Sequence, residues 1–301
     1  MSGVLAEESV SAAWRCAQQE RVEQALSAWV SADAPAGLGE AMRYAVLDGG
    51  KRLRPLLTLA VSEAVEGAPE AAMRAACALE LIHAYSLVHD DMPCMDNDVL
   101  RRGKPTVHVA FGEAQALLAG DALQALAFEL LVPEDGSVVP AMSAQLCRQL
   151  ACAAGAAGMA GGQAIDLASV GTALDRAGLE NMHRCKTGAL LQASVMMGAA
   201  TGECDAQALR SLREYGGVLG LAFQVVDDIL DVTTDSATLG KTAGKDAASD
   251  KPTFVSLMGL ASAQSCADEL LAQAHQALRQ SGLAQTENLH ALADWVGRRA
   301  S

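Results

Sequence analysis

The chain has 301 residues, which is enough for one large domain or two of ordinary size. Hydrophobic residues make up 51% of it but aromatic residues only 3%, and alanine and leucine outnumber the β-branched residues. This balance predicts an all-α fold. The formal net charge of −14 argues against a nucleic-acid-binding protein and against docking on anionic lipid, both of which require basic surfaces.

Cysteine usage and the N-terminus bear on where the protein works. The eight cysteines contain no CxxC pair and no regular framework, so we interpret them as free thiols of a reducing compartment. Glu7 and Glu8 lie where a secretory signal would carry basic residues, and we expect no apolar stretch of membrane-spanning length. The sequence therefore predicts a cytoplasmic protein without stable membrane association.

Helical periodicity recurs along the chain between short glycine- and proline-containing segments. The predicted helices cover residues 13–30, 40–47, 73–89, 112–131, 139–168, 174–202, 206–231, 262–282 and 286–298, and one more begins at Pro55. Residues 233–252 are predicted to form a long irregular flap, since loops of this length are more often functional than idle. The small-residue tracts 151–162 and 188–202 are interpreted as core packing. We expect a single helical domain over residues 1–301.

The strongest local signal is an acidic cluster that follows an apolar predicted helix. Asp90, Asp91, Asp96 and Asp98 are four carboxylates within nine residues. Carboxylates at the end of a buried helix need a compensating cation, and hard oxygen ligands favour magnesium over zinc. Asp90 and Asp96 would point apart on an unbroken helix, so Pro93 predicts a departure from helix that lets both reach one ion.

A second acidic cluster, formed by Asp227, Asp228 and Asp231, closes the predicted helix 206–231. Asp227 and Asp231 are four residues apart and share one helix face. Like charges there destabilise a helix at the negative end of its dipole, and a bound metal ion would reverse that cost. The alternative is that the two clusters are unrelated acidic helix ends.

Three basic clusters accompany the acidic ones. They are Lys51, Arg52 and Arg54 after Gly49-Gly50, then Arg101, Arg102 and Lys104 after the first acidic cluster, and finally Lys241, Lys245 and Lys251 in the long loop. Arginine binds phosphate oxygens through a bidentate fork, and lysine serves as a mobile charge. Pairing on the surface is the commoner explanation of charge runs. A metal–diphosphate site, however, uses both signs at once.

In chain order, these motifs resemble those of the trans-prenyltransferases, specifically the bacterial-type farnesyl and geranylgeranyl diphosphate synthases. The matching segments are residues 50–55 (GKRLRP), 90–98 running into 100–106 (LRRGKPT), 120–122 (GDA), 162–167 (GQAIDL), 186–188 (KTG), 223–231 (FQVVDDILD) and 240–246 (GKTAGKD). The joint match in family order is very specific. The resemblance implies an all-α bundle of the isoprenoid synthase type around a deep central cavity, usually in a homodimer.

The resemblance also implies roles for individual residues. Asp90, Asp91, Asp96, Asp227 and Asp231 would hold magnesium, three ions with substrate bound and replaceable by manganese, and Asp228 completes the second catalytic motif. Arg101, Lys186 and Lys241 would contact the allylic diphosphate, whereas Lys51, Arg54, His83 and Arg102 would bind the diphosphate of isopentenyl diphosphate. Thr187 and Gln224 would line the region where positive charge develops, and Lys251 matches a flap lysine. Phe254 and Val255 depart from the Tyr-Pro of close relatives.

The implied reaction condenses dimethylallyl or geranyl diphosphate with isopentenyl diphosphate by ionisation, condensation and elimination. Ionisation leaves diphosphate and a carbocation, which needs a dry cavity and nearby oxygen dipoles. In the family the departing diphosphate is thought to take the final proton, and the sequence offers no obvious separate base.

Product length is predicted from two residues before the first acidic cluster. Ser86 and Tyr85 precede Asp90 by four and five residues, which on a helix puts Tyr85 about 7.5 Å below the metal site. Residues at these places commonly form the floor that stops chain growth in the family, so we expect farnesyl diphosphate. The alternatives are that Tyr85 is a core aromatic facing away from the cavity and that the product is geranylgeranyl diphosphate.

Two further classes remain open. A terpene cyclase shares the fold and the first motif but usually lacks this second motif and the Gly-Lys-Arg-Leu-Arg-Pro segment. A non-catalytic subunit that modulates another synthase commonly loses one acidic cluster, whereas both are present here.

Overall fold

The computed structural model describes residues 2–47, 49–171, 174–233 and 252–298, and nearly all regular structure in these ranges is helical. The first half contains α1 (Ser2–Trp29), a 3-10 turn (Pro35–Gly37), α2 (Leu38–Val46), α3 (Leu53–Ala64), α4 (Pro69–Asp90), a hairpin of β1 (Leu100–Arg101) and β2 (Lys104–Pro105), α5 (Val107–Phe111) and α6 (Glu113–Leu131). The second half contains α7 (Pro140–Ala154), α8 (Met159–Ala168), α9 (Arg176–His183), a π-helical segment (Arg184–Gly188), α10 (Ala189–Ala199), α11 (Ala206–Thr233), α12 (Phe254–Met258), α13 (Leu260–Gln280) and α14 (Glu287–Gly297). The expected all-α fold is confirmed.

Helix α4 lies in the core, where α2, α3, α6 and α10 pack around it. It is rich in alanine and leucine, and Ala75, Leu79 and Ile82 are fully buried. A helix that is apolar on every side has to be covered on every side. Because α4 ends at Asp90, it carries the first acidic cluster directly out of the hydrophobic core.

Helix α10 approaches its neighbours closely through glycine. A Cβ atom added to Gly198 would lie 2.5 Å from the carbonyl oxygen of Thr58 on α3. A Cβ added to Gly220 on α11 would lie 3.0 Å from the Cα atom of Gly188. These contacts support the interpretation of the tract 188–202 as core packing, since side chains there would separate the helices.

The prediction of one helix over residues 139–168 is wrong, because α7 ends at Ala154 and α8 begins at Met159. The intervening residues 155–158 begin and end with glycine, which is about 1 kcal/mol less favourable than alanine inside a helix. Residues of α8, the helix after the break, line the cavities of the candidate site. The two glycines indicate a helix break, but the many alanines around them favour a continuous helix.

The prediction of one regular helix over residues 174–202 also needs correction. Asp175 caps α9, its side chain accepting a 2.8 Å hydrogen bond from the Gly178 amide. The helix then widens into the π-helical segment Arg184–Gly188 before α10 begins. Such bulges are frequent at functional sites, and this one contains the predicted residues Lys186 and Thr187.

Among the described residues, two helices are long and apolar enough to cross a membrane by length and composition, which corrects the expectation that there are none. In α4, 72% of the most apolar window is buried inside the protein, and a buried core helix meets the same criterion. In α6 the buried share is 39%, and Leu117 and Leu118 are about half exposed. The apolar composition of α4 is thus explained by burial, whereas α6 presents an apolar outer face.

Candidate active site

A cavity of about 570 Å³ lies where the ends of α3 and α4, the π-helical segment and α11 meet. Fourteen of the candidate site residues identified from the sequence line it: Lys51, Arg52, Arg54, His83, Asp90, Asp96, Asp98, Arg101, Arg102, Lys186, Thr187, Gln224, Asp227 and Asp228. Both acidic clusters therefore face the same space, together with two of the basic ones. This arrangement argues against the alternative of two unrelated acidic helix ends.

The first acidic cluster turns back on itself after α4. The Asp96 amide donates to the Asp90 carbonyl at 2.9 Å, and the Asp98 amide donates to the Asp91 carbonyl at 3.1 Å. The predicted departure from helix near Pro93 is confirmed, since α4 stops at Asp90. This turn brings Asp90 and Asp96 to one cavity although they are six residues apart.

Asp91 behaves differently from its neighbours. Its two carboxylate oxygens accept hydrogen bonds from Nε and Nη2 of Arg101 at 2.5–2.9 Å. Asp91 is only 3% exposed, so the pair is a bidentate, largely buried one. In this conformation Asp91 orients Arg101, which lines the cavity.

The second acidic cluster lies in the last two turns of α11, which continues to Thr233. Asp227 and Asp228 line the cavity, and Asp231 is buried one turn further on. Asp228 Oδ2 accepts a 2.7 Å hydrogen bond from the backbone amide of Phe254, the first residue of α12. The second motif therefore also anchors the start of α12.

Arg54 is a buried cation of the site. It is 9% exposed, and its Nε atom has no hydrogen-bond partner among the described residues. Burial lowers the pKa of Arg54 to about 10, so the guanidinium remains charged at neutral pH. A buried charged donor without an acceptor is costly, and an anionic ligand in the cavity would relieve that cost.

Arg52 lies in the same motif as Lys51 and Arg54 but turns away from solvent into an ion-pair network. Its Nη1 donates to Glu80 at 2.6 Å, its Nε to Glu23 at 2.7 Å, and its Nη2 to the Val46 carbonyl at 2.6 Å. Arg52 and Glu80 are each 3% exposed. Arg52 therefore fixes the start of α3, which carries Arg54 into the cavity.

Arg102 reaches the same region from the β-hairpin. Its Nη1 donates to the Gly49 carbonyl at 3.0 Å, and a Cβ on Gly50 would lie 2.7 Å from that nitrogen. Gly50 also has a φ of +118°, which L side chains rarely adopt. Glycine at position 50 is thus required both for the turn and for the approach of the guanidinium.

Lys186 projects from the π-helical segment toward both α8 and the first acidic cluster. Its Nζ lies 2.6 Å from Asp166 Oδ2 and 4.0 Å from Asp90 Oδ2. A Cβ on Gly162 of α8 would lie 2.1 Å from the Lys186 amide nitrogen. Glycine at 162 therefore lets α8 contact the widened backbone and bring Asp166 within reach.

Several cavity residues were not assigned roles from the sequence. Gln163 Nε2 donates to Asp90 Oδ1, and Asp166 pairs with Lys186. Both lie in the matching segment 162–167, which is the signal that identifies them. His183 and Glu80 also line the cavity, but a single histidine or glutamate within a helix gives no comparable signal.

A second cavity of about 360 Å³ adjoins the first and shares Arg54, His83, Leu87, Asp90, Lys186 and Thr187 with it. Its remaining lining includes Tyr85, Ser86, Met95, Met159, Ala164, Leu167 and Leu190. Most of these side chains are apolar. The alternative that Tyr85 faces away from the cavity is therefore wrong. The two cavities together offer a charged region continued by a hydrocarbon-lined one.

The third basic cluster and most of the predicted flap lie outside the described residues. Lys241, Lys245 and Lys251 all belong to residues 234–251. Their roles stay predictions. Phe254, which departs from the family pattern, is described and is fully buried.

The carboxylates of the cavity suit a hard metal ion. Within the described ranges, no three carboxylate, imidazole or thiol side chains converge closely enough to hold an ion unaided. Magnesium is commonly held by one or two carboxylates with water and substrate phosphates, rather than by an all-protein cage. Asp90, Asp96 and Asp227 supply oxygen donors of that kind in one cavity.

The fold and the site define a class of protein, an all-α enzyme that handles an anionic substrate with a long apolar portion. Residues 35–291 match the family model described as Polyprenyl synthetase. The chain belongs to this family and is a prenyltransferase, a short-chain prenyl diphosphate synthase.

Named relatives and solved structures support that membership along the chain. The chain is 47% identical over 281 residues to "Geranylgeranyl pyrophosphate synthase 7, chloroplastic" of Arabidopsis thaliana, which covers 92% of this chain and 81% of the relative. It resembles the structure of an FPP/GFPP synthase from Zymomonas mobilis, with 40% identity, a TM-score of 0.84 and coverage of 96% and 99%. It also resembles a Helicobacter pylori geranyltransferase complexed with magnesium and isoprenyl diphosphate, with 36% identity, a TM-score of 0.85 and coverage of 96% and 98%.

Proposed function

We propose that the protein is a magnesium-dependent farnesyl diphosphate synthase, which joins dimethylallyl and then geranyl diphosphate to isopentenyl diphosphate. The observation that carries the proposal is the pair of joined cavities. One brings two acidic motifs together with buried cations, and the other extends from it between apolar side chains and Tyr85.

Three magnesium ions are proposed with substrate bound, replaceable by manganese, and they supply positive charge that stabilises the leaving diphosphate. The proposed ligands are Asp90, Asp91, Asp96, Asp227 and Asp231. To bind magnesium, Asp91 would give up one of its hydrogen bonds with Arg101. Lys186 and Arg101 border the cavity and bind the allylic diphosphate oxygens. Thr187 and Gln224 direct oxygen atoms toward the carbon that becomes positive, and the apolar lining excludes water from it.

The second diphosphate is proposed to bind among Lys51, Arg54, His83 and Arg102. Burial, and then the positive charges of Arg54 and Arg102, hold the pKa of His83 well below its usual value. The imidazole is therefore neutral and binds the diphosphate by donating a hydrogen bond. The charge is supplied by the buried guanidinium group of Arg54, by Arg102, and by Lys51, which is exposed at the cavity rim.

Replacing Lys51 by alanine should mainly raise the Michaelis constant for isopentenyl diphosphate, by roughly tenfold for one lost charged contact. The matched variant Lys186→Ala should instead lower turnover of the allylic substrate, because Lys186 lies beside Asp90. Steady-state kinetics with each substrate varied in turn separates the two effects. The same kinetic pattern from both variants would refute the assignment of two diphosphate sites.

Tyr85 is held in place by contacts that suit a fixed floor. Its ring packs edge-on against His89, with centroids 5.6 Å apart. His89 Nε2 lies 3.1 Å from the Leu117 carbonyl, to which it donates, and the imidazole fills the space that a Cβ on Gly120 would need. Residues on α6 thus hold His89, which in turn limits the movement of the Tyr85 ring.

The variant Tyr85→Ala should shift the main product from C15 to C20 or longer, because it removes the ring from the cavity wall. Tyr85→Phe keeps the ring and should keep the C15 product. Chromatography of the dephosphorylated products measures both. Unchanged C15 output from a well-folded Tyr85→Ala protein would mean that the floor lies elsewhere.

A geranylgeranyl diphosphate synthase is the second candidate, favoured by the names of plant relatives that are 46–47% identical to this chain. Incubation of the purified chain with dimethylallyl and isopentenyl diphosphates, with magnesium and after exhaustive chelation, tests the proposal. C15 product that disappears on chelation is expected. C20 product from the unmodified chain would overturn the farnesyl assignment. A cyclic hydrocarbon made without isopentenyl diphosphate would indicate a cyclase. No activity of the chain purified by itself would indicate a modulating subunit.

A homodimer is also proposed. The exposed apolar face of α6, with Leu117 and Leu118, supports it, since contiguous apolar surface favours association. One relative is named as the large subunit of a heterodimeric synthase, and the molar mass of the purified chain in solution distinguishes these arrangements. The cytoplasmic location and the single domain over residues 1–301 stay predictions of the sequence.

A further inference from the structure

His183 is a buried cavity residue for which neither the motifs nor the steps above provide a role. It is the last residue of α9 and is only 7% exposed. Its ring stacks on Phe254, with centroids 5.4 Å apart and planes 20° from parallel. The imidazole is therefore fixed between α9 and the start of α12 while it borders the cavity.

The two ring nitrogens of His183 have different neighbours. Nδ1 lies 3.1 Å from Gln224 Nε2. Nε2 faces Asp228 Oδ2 at 3.9 Å and makes no hydrogen bond with any described residue. Burial lowers the pKa of the His183 imidazole to about 4, so the ring is neutral, and among the described residues Asp166, Lys186 and Asp227 also act on it electrostatically.

A neutral imidazole carries one proton, and the carboxylate of Asp228 favours it on Nε2. Nδ1 then has a free lone pair and accepts a hydrogen bond. Only the NH₂ group of the Gln224 amide can donate to it. The amide oxygen of Gln224, on the other side of the same planar group, is thereby directed away from His183.

From this geometry we infer that His183 is a positioning residue, which orients the Gln224 amide so that its carbonyl oxygen, not its NH₂ group, faces the reacting carbon. The inference deepens the proposed function and rests on its prenyl-transfer chemistry. An oxygen dipole favours a developing carbocation, whereas an NH₂ group in the same place opposes it. Asp228 acts on Gln224 indirectly, through His183, because its carboxylate determines which ring nitrogen holds the proton.

Kinetics of two amide variants test the inference. His183→Asn keeps an acceptor near the position of Nδ1 and should retain kcat within a few-fold. His183→Gln moves the amide to the position of Nε2 and should lower kcat about tenfold, the rate equivalent of one hydrogen bond. The KM values for both substrates should change little. Equal losses of kcat in the two variants would overturn the inference.

The same pair of variants made in a Gln224→Ala background provides the control. If His183 acts through Gln224, the difference between the Asn and Gln variants should vanish there. A difference that persists would mean that His183 affects turnover by another route, and the inference would fail.

The proton position can be measured without substrate. Among the six histidines, the His183 signal in ¹⁵N-histidine NMR spectra is the one lost in His183→Asn. A proton on Nε2 is expected, and a proton on Nδ1 would reverse the amide and overturn the inference. This measurement tests the orientation of the Gln224 amide independently of activity. If the unmodified chain made no prenyl product, that result would refute the proposed function but not the amide orientation.

Discussion

Replacing Asp90 or Asp227 by asparagine is expected to lower kcat roughly 100- to 1,000-fold, the effect of removing one preorganised electrostatic group from a reaction centre. The two carboxylates reach one cavity from the ends of two different helices, α4 and α11. Asparagine has nearly the same shape but carries no charge, so the negative potential that attracts a divalent cation is reduced while packing is retained. Turnover under saturating substrate and magnesium measures the effect.

Asp268→Asn is the matched control, because Asp268 is an exposed residue of α13. It should leave kcat unchanged. Circular dichroism and thermal unfolding establish that all three variants are folded. Wild-type turnover in a natively folded Asp90→Asn or Asp227→Asn protein would contradict the proposed metal-binding role of that residue.

Replacing Glu80 by alanine is expected to lower the free energy of unfolding by about 1–3 kcal/mol, the usual cost of removing one hydrogen-bond partner from a buried polar group. Arg52 would keep Glu23 and the Val46 carbonyl but lose its buried carboxylate. Urea-induced unfolding, followed by circular dichroism, measures the change.

Glu129→Ala on the exposed side of α6 removes the same side chain without a buried partner. Its effect should stay within about 0.5 kcal/mol. Equal stability of the Glu80→Ala and Glu129→Ala proteins would mean that the buried pair with Arg52 contributes nothing net.

The positions of most helices follow from periodicity because apolar faces must be buried, and α4 is the clearest case. The convergence of Asp90 and Asp96 also followed from local chemistry, since Pro93 and like charges both disfavour a continued helix. The π-helical segment did not follow, because its cause lies outside its own sequence. Its widened backbone packs on Gly162, a residue of another helix.

The fate of individual charges was harder to predict than their clustering. Arg52 and Arg54 are two residues apart and both line the cavity, yet Arg52 is held in an ion-pair network whereas Arg54 Nε has no hydrogen-bond partner among the described residues. Asp91 pairs with Arg101 although its neighbour Asp90 lines the cavity. The partner of each charged side chain depends on which residues of other helices pack against it. Glu80 and Gln163, for example, reach their partners only when the helices pack. Spacing along the sequence does not contain that information.

Tyr85 and Asp90 belong to one continuous helix, with no joint between them. The proposed floor residue and the carboxylate at the ionisation site are therefore held by the same rigid helix, about 7.5 Å apart along its axis. Neighbouring helices can shift without altering that spacing. Under the proposal, a single substitution elsewhere on α4 can move the floor and so change the length of the product. The acidic cluster at the end of α4 stays unchanged.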